Sequence, residues 1–180
     1  MFKKILIANR GEIACRVMRT TRAMGIQTVA VYSDADKSAL HVRMADQAVA
    51  IGPAPATDSY LLIDKIIAAC LETGADAVHP GYGFLSENPD FCRRLKENRI
   101  TFIGPPVGAI KAMGDKITSK QIADQAGVST IPGYNGILES GDQAVEKAAE
   151  IGYPVMLKAT AGGGGKGMRI ARNEQECREG

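Results

Sequence analysis

Short apolar runs and helical stripes alternate along the first hundred residues. Residues 3–9, centred on Ile5-Leu6-Ile7-Ala8, pattern as a strand. Arg10-Gly11 then turns the chain into a helix over about 12–24, with Ile13, Cys15, Val17, Met18 and Met24 largely on one side. Gly25 ends that helix and 26–32 return to strand patterning, so β-α-β is complete early and a right-handed crossover into a parallel sheet follows. A short helix at 41–45, with His41 read as a surface residue, precedes a third strand at 47–51. Asp58 or Ser59 is placed to cap a helix over 60–72, with Leu62, Ile63, Ile66, Ile67, Cys70 and Leu71 inward. Residues 75–78 pattern as the fourth strand. Asn88-Pro89 starts a helix over 89–98 with Phe91, Cys92 and Leu95 inward, and 100–103 pattern as the fifth strand.

Gly104-Pro105-Pro106 breaks this alternation. Two helices are expected next, over 107–113 and 115–126 with an interruption at Gly114, then an extended stretch at 128–134 and a helix from Ser140 to Ile151. Strand patterns at 153–158 and 168–172 flank a run of four glycines, Gly162, Gly163, Gly164 and Gly165, and read as an antiparallel hairpin. Asn173 with Glu176 makes a capping-box-like start to a last helix. The fold class is α/β: a parallel-sheet, Rossmann-like domain at 1–104, a helical connection at 105–129, and an α+β piece at 130–180 carrying the hairpin.

Composition narrows the class. At 180 residues, 45% apolar and 23% charged, the chain has the balance of a globular protein with a substantial core. No stretch approaches the ~20 apolar residues of a membrane helix, and the opening apolar run is too short for a signal peptide. A net charge of +2 is too slight to imply nucleic acid or membrane partners. Cys15, Cys70, Cys92 and Cys177 form no CxxC pair, and with only His41 and His79 beside them they signal neither zinc nor disulfides. They read as small buried apolar groups in a reducing compartment.

Four stretches carry candidate chemistry. The glycine run between Lys158 and Lys166 lets backbone N–H groups approach an anion with no Cβ in the way, as a flap over a polyphosphate does; a flexible linker is the plainer alternative. The loop His79-Pro80-Gly81-Tyr82-Gly83-Phe84-Leu85-Ser86-Glu87-Asn88-Pro89 follows a parallel strand at the end where open sheets bind ligands. Tyr82 and Phe84 are equally consistent with packing there, and Glu87 with a contact to the helix start. Arg16, Arg19 and Arg22 recur on one side of the first helix, as a solvated face or a subunit contact. Lys111, Lys116 and Lys120 recur after the break, where Asp115-Lys116 at a helix start suits either a solvated face or a phosphate contact. A dinucleotide site is rejected even though Ser33-Asp34-Ala35-Asp36 carries suitable acids. The turn Asn9-Arg10-Gly11-Glu12 lacks G-x-G-x-x-G and sets Glu12 where a pyrophosphate would lie.

Several of these stretches together carry a family resemblance. Ile5-Leu6-Ile7-Ala8-Asn9-Arg10-Gly11-Glu12-Ile13-Ala14, the loop at 79–89, Met113-Gly114-Asp115-Lys116, and Lys158 with 162–169 closely resemble biotin carboxylase, the ATP-grasp module of biotin-dependent carboxylases. The resemblance runs the length of the chain. It implies a pre-ATP-grasp domain at 1–104 and the front of a lid domain at 130–180. It further implies ATP contacts at Lys116, Lys158, Gly162, Gly163, Gly164, Gly165 and Met168, with Tyr82 and Glu87 near the biotin and bicarbonate end and Arg16 and Arg19 on a dimer-contact helix.

The implied reaction is ATP- and bicarbonate-dependent carboxylation of carrier-bound biotin through carboxyphosphate. It uses ATP with Mg2+ or Mn2+, and a biotin carboxyl carrier protein and a carboxyltransferase act as partners of a cytoplasmic homodimer. In the family the magnesium-binding acids, the bicarbonate-binding arginine and the general base lie beyond position 180, so no catalytic or metal-binding residue is expected within these residues and no turnover from them alone. The alternatives are a non-catalytic dimerisation or regulatory module and a different ATP-grasp ligase. The particular sequence from Tyr82 to Glu87 speaks against the latter.

Overall fold

The structure is a computed structural model that describes residues 1–114, 116–129, 131, 133–134, 136–158 and 167–180; of Lys116 and Ile117 it describes the backbone. These form two compact units, Met1–Gly114 and Asp115–Gly180.

In the first unit, β1 (Lys4–Ile7), α1 (Gly11–Ala23), β2 (Gln27–Ser33), α2 (Leu40–Met44), β3 (Gln47–Gly52), α3 (Ile63–Thr73), β4 (Ala77–His79), α4 (Pro89–Glu97), β5 (Thr101–Phe102) and α5 (Val107–Gly114) follow one another. The strands form a parallel sheet in the order β3-β2-β1-β4-β5. Helices cover both faces, which explains why the run Ile5 to Ala8 is apolar without a break. Leu6 and Ala8 point to one side with Val29, Val31 and Val78, against Ile66, Ile67 and Cys70 of α3 and Phe91 and Leu95 of α4. Ile5 and Ile7 point to the other with Ala30 and Ala77, against Ala14, Val17 and Met18 of α1. The α/β class read from the pattern is therefore the observed one.

Several local expectations are corrected. His41 is fully buried rather than at the surface. The five-residue α2 packs onto β2, and the His41 Nε2 lies 3.3 Å from the Val31 carbonyl oxygen. Helix α3 starts at Ile63 with no side-chain cap, because Ala56–Asp58 forms a 3-10 turn and the Ser59 hydroxyl bonds back to the Pro55 carbonyl. Leu62 therefore precedes the helix and is exposed, as are Leu71 within it and Met24 at the end of α1. All four cysteines are buried and free, and each lies on a helix, Cys177 included.

The buried His41 is expected to make the fold acid-sensitive. Burial holds its pKa below the ordinary 6.5. The unfolded chain then binds the proton more readily, so stability is constant above about pH 6.5 and falls as the pH drops below it. His79 shifts in the same direction, from burial and then from the nearby Arg16 charge. Urea midpoints are expected to decline on acidification from neutrality, with a shallower decline in His41→Leu; parallel declines in the two proteins would show that His41 does not contribute.

In the second unit, α6 (Lys116–Gln125) precedes α7 (Gly141–Ile151), the antiparallel pair β6 (Val155–Lys158) and β7 (Met168–Ala171), and α8 (Glu174–Glu179). The Ser140 hydroxyl caps α7 and the Asn173 side chain caps α8, as their sequence positions predict. Ala148, Ala171 and Cys177 are buried together, with Val155 and Leu157 packed against them.

Candidate functional site

The chain leaves β1 toward β2 and β3 on one side, then crosses back to lay β4 on the other. The loops after β1 and β4 therefore diverge, and a crevice opens between them at the carboxyl ends of the strands. It is a cleft of about 350 Å3, with Asn9, Arg10, Gly11, Glu12 and Ile13 on one wall and Tyr82, Gly83 and Phe84 on the other.

Both walls are tied down by buried polar groups. Asn9, 2% exposed, donates from Nδ2 to the Pro80 and Tyr82 carbonyls at 2.9 Å each, while its Oδ1 accepts from the Arg10 N–H. Gly81 carries a φ of +64° and packs so tightly on Asn9 that a Cβ there would lie 2.6 Å from Nδ2. The Gly81 N–H in turn donates to Nδ1 of His79 at 3.0 Å. Arg10 forms a two-pronged ion pair with Asp36, and the Tyr60 hydroxyl donates to the same carboxylate at 2.6 Å. The Arg10 guanidinium holds the Asp36 carboxyl down at about 2, and burial together with the bond to Asp36 pushes the Tyr60 phenol up. The Tyr60 ring stacks on Phe84 with centroids 5.0 Å apart, fixing a residue whose φ of +43° is costly without glycine. Asp36, a position that binds ribose in dinucleotide folds, is thus already occupied as a structural anion.

Tyr82 stands exposed at the mouth of the cleft, its hydroxyl accepting from an Arg16 N–H at 3.1 Å and its ring 5.6 Å from the guanidinium carbon. Two candidates from separate stretches of sequence are thereby in contact. Arg19 is exposed on the same helix. Arg22 donates to the Met44 carbonyl at 2.7 Å. Glu87 lies elsewhere: with Ser86, Pro105, Ala109, Ile110, Met113 and Gly114 it lines a second cleft of about 240 Å3. It does not cap α4, because the Asn88 side chain accepts the Phe91 N–H.

In the second unit, Lys158 pairs with Met168 and Met156 with Ile170. All four are exposed on one face of the hairpin, while Val155, Leu157 and Ala171 turn inward. Gly162, Gly163, Gly164, Gly165 and the Lys116 side chain lie outside the described residues. Among the described residues no cluster of His, Cys, Asp or Glu could hold a metal ion.

Asn9, Asp36 and Tyr60 were not singled out as site residues from sequence. The only signal for Asn9 is a polar side chain ending an apolar strand, and each finds at least one partner 24 or more positions away in the chain.

Comparison with known proteins places this geometry. Residues 1–110 match the model for the biotin carboxylase N-terminal domain, and 115–180 match the carbamoyl-phosphate synthase L chain ATP binding domain. The propionyl-CoA carboxylase alpha chain of Ruegeria pomeroyi is 68% identical over the whole chain, which spans 26% of that protein. Biotin carboxylase from Campylobacter jejuni, solved as a β-γ-ATP complex, is 51% identical with a TM-score of 0.92, covering 99% of this chain and 40% of that one. The biotin carboxylase domain dimer of Hydrogenobacter thermophilus 2-oxoglutarate carboxylase, solved with MgADP, ADP and bicarbonate, is 56% identical with a TM-score of 0.89, covering 98% and 39%. The chain thus spans well under half of each of these relatives. With the matched model covering residues 1–110 and the parallel sheet and its switch-point cleft lying within them, the chain belongs to the biotin carboxylase family.

Proposed function

We propose that these residues supply the N-terminal portion of a biotin carboxylase: the first domain at 1–104, the helical connection at 105–129 and the front of the nucleotide lid at 130–180. The activity is ATP- and bicarbonate-dependent carboxylation of biotin on a carrier protein. Support comes above all from the hairpin face, where Met156, Met168 and Ile170 offer apolar surface suited to a base and Lys158 an ammonium suited to a phosphate, immediately before the glycine run. Lys116, Lys158, Gly162, Gly163, Gly164, Gly165 and Met168 are assigned to ATP. Phosphoryl transfer to bicarbonate needs fixed cations and backbone dipoles more than covalent help, and a closing flap keeps water from the labile carboxyphosphate. ATP with Mg2+ supplies the phosphoryl group when bound. The metal ligands are assigned to the remainder of the enzyme.

Tyr82 and Glu87 are assigned to the biotin and bicarbonate end. Arg16 and Arg19 are assigned to a homodimer contact, for which the dimer of the Hydrogenobacter domain is supporting. A carrier protein, a carboxyltransferase and a cytoplasmic location complete the reading. No described helix is long and apolar enough to cross a membrane.

The test is a fusion in which these residues replace the matching 40% of the Campylobacter enzyme. Biotin-stimulated, bicarbonate-dependent ATP hydrolysis is expected from the fusion and not from residues 1–180 alone. Lys158→Ala is expected to lower kcat/KM for ATP about a hundredfold by removing a phosphate cation. An active fusion indifferent to Lys158→Ala would refute the ATP assignment.

A further inference from the structure

Tyr82 owes its place to a side chain on the opposite wall of the cleft. Both oxygens facing Asn9 Nδ2 are carbonyls, which only accept, and the group facing Oδ1 is the Arg10 N–H, which only donates. An amide is the one ordinary side chain of this size that satisfies all three. Because the side chain is 2% exposed, water cannot replace a lost partner. Gly81 presses on the amide from the other side, so the loop rests on Asn9 by contact as well as by hydrogen bonds. We propose that Asn9 is a positioning residue, a clasp across the switch point that sets the β4–α4 loop, and Tyr82 with it, against the β1–α1 turn. The catalytic meaning of that loop rests on the assignment of Tyr82 to the biotin end; the clasp itself does not.

Asn9→Asp isolates the donor. It keeps the shape and the acceptor for Arg10 but points an oxygen at two carbonyls. The carboxylate form repels both, whereas the protonated form can donate to one. Burial between carbonyls favours the protonated form. The charged and titratable groups around the clasp are Arg10 from the β1–α1 turn, Glu12 and Arg16 from α1, Asp36 beyond Arg10, His79 at the end of β4 and Tyr82 from the loop. His79 would loosen the loop on protonation by losing its bond from Gly81, so each variant is compared with wild type at the same pH.

Amide hydrogen exchange on the 180-residue chain reads the outcome at Gly81 and Ser86, whose N–H groups donate to His79 Nδ1 and the Gly83 carbonyl. In Asn9→Asp their protection is expected to fall about tenfold near pH 8 and to recover toward wild type near pH 5, with β2 amides unchanged. Gly81→Ala, which attacks the contact from the loop side, is expected to give the same local loss with no acid recovery. This variant also keeps the proposal testable should Asn9→Asp not fold. Unchanged protection at Gly81 and Ser86, or a loss in Asn9→Asp that is independent of pH or shared equally by β2, would overturn it. In the fusion, a raised KM for free biotin with kcat preserved is expected of Asn9→Asp. Loss of loop protection without that KM change would leave the clasp standing and remove Tyr82 from the biotin end.

Discussion

Phe91→Ala is expected to destabilise the first unit by about 4 kcal/mol, the range measured for emptying a buried aromatic site. Phe91 is fully buried beneath the sheet and meets Phe102 edge to face, centroids 6.0 Å apart and planes at 89°. Truncation removes the transfer energy of the ring, leaves a cavity that a parallel sheet on one side and α3 on the other cannot easily collapse into, and deletes the aromatic pair. Phe91→Leu keeps most of the volume and should lose only about 1–2 kcal/mol. Because α4 begins where the Tyr82 loop ends, with the Phe91 N–H held by Asn88, the larger substitution should also loosen that junction. Urea unfolding of the two variants checks this. A loss below about 2 kcal/mol in Phe91→Ala would show that the site relaxes and that the ring is not a keystone of the core.

Asp36→Ala is expected to destabilise by about 3 kcal/mol at neutral pH, below the upper range for broken buried pairs because Arg10 remains about half exposed. The Asp36 side chain is 7% exposed, and its removal strips Arg10 of its anion and Tyr60 of its acceptor at once. Tyr60→Phe removes one hydrogen bond and keeps the stack on Phe84, so about 1 kcal/mol is expected there. The pH dependence has a definite sign. The folded pKa is pulled from 3.8 to about 2, chiefly by the Arg10 hydrogen bonds, so the carboxylate contribution is fully present above about pH 4 and disappears as the pH falls through about 2. The stability gap between wild type and Asp36→Ala should therefore be constant through the neutral range and narrow only in strong acid. A gap that shrinks already between pH 7 and pH 5 would mean that Arg10 does not hold the Asp36 carboxyl down in the fold.

These two networks differ in how far they could be read in advance. Phe91, Cys92 and Leu95 recur at helical spacing, and Ile5 to Ala8 form an unbroken apolar run. Periodicity alone therefore announced a buried helix face and a strand, and the structure adds that the strand is covered on both sides. The hairpin was equally legible, because strand patterns flanked a glycine run, and the observed register brings Lys158 opposite Met168. The caps at Ser140 and Asn173 follow from local chemistry with partners three residues away. His41, by contrast, was misjudged: on a helix of five residues no periodicity exists to tell an inward side from an outward one. Leu62 falls outside the helix because the Ser59 hydroxyl closes a turn on Pro55 and delays its start, whereas Leu71 lies on the exposed side of the helix itself.

The amino-acid sequence by itself determined the element types, the parallel α/β class and the family, because each depends on spacing or on residue strings that lie within a few turns of chain. Only the tertiary structure decided that Asn9 clasps the Tyr82 loop, that Asp36 is consumed by Arg10 and Tyr60, and that Arg16 reaches Tyr82. Those contacts join residues 24 to 73 positions apart, and they form because the strand order β3-β2-β1-β4-β5 gathers distant loops at the carboxyl ends of the central strands.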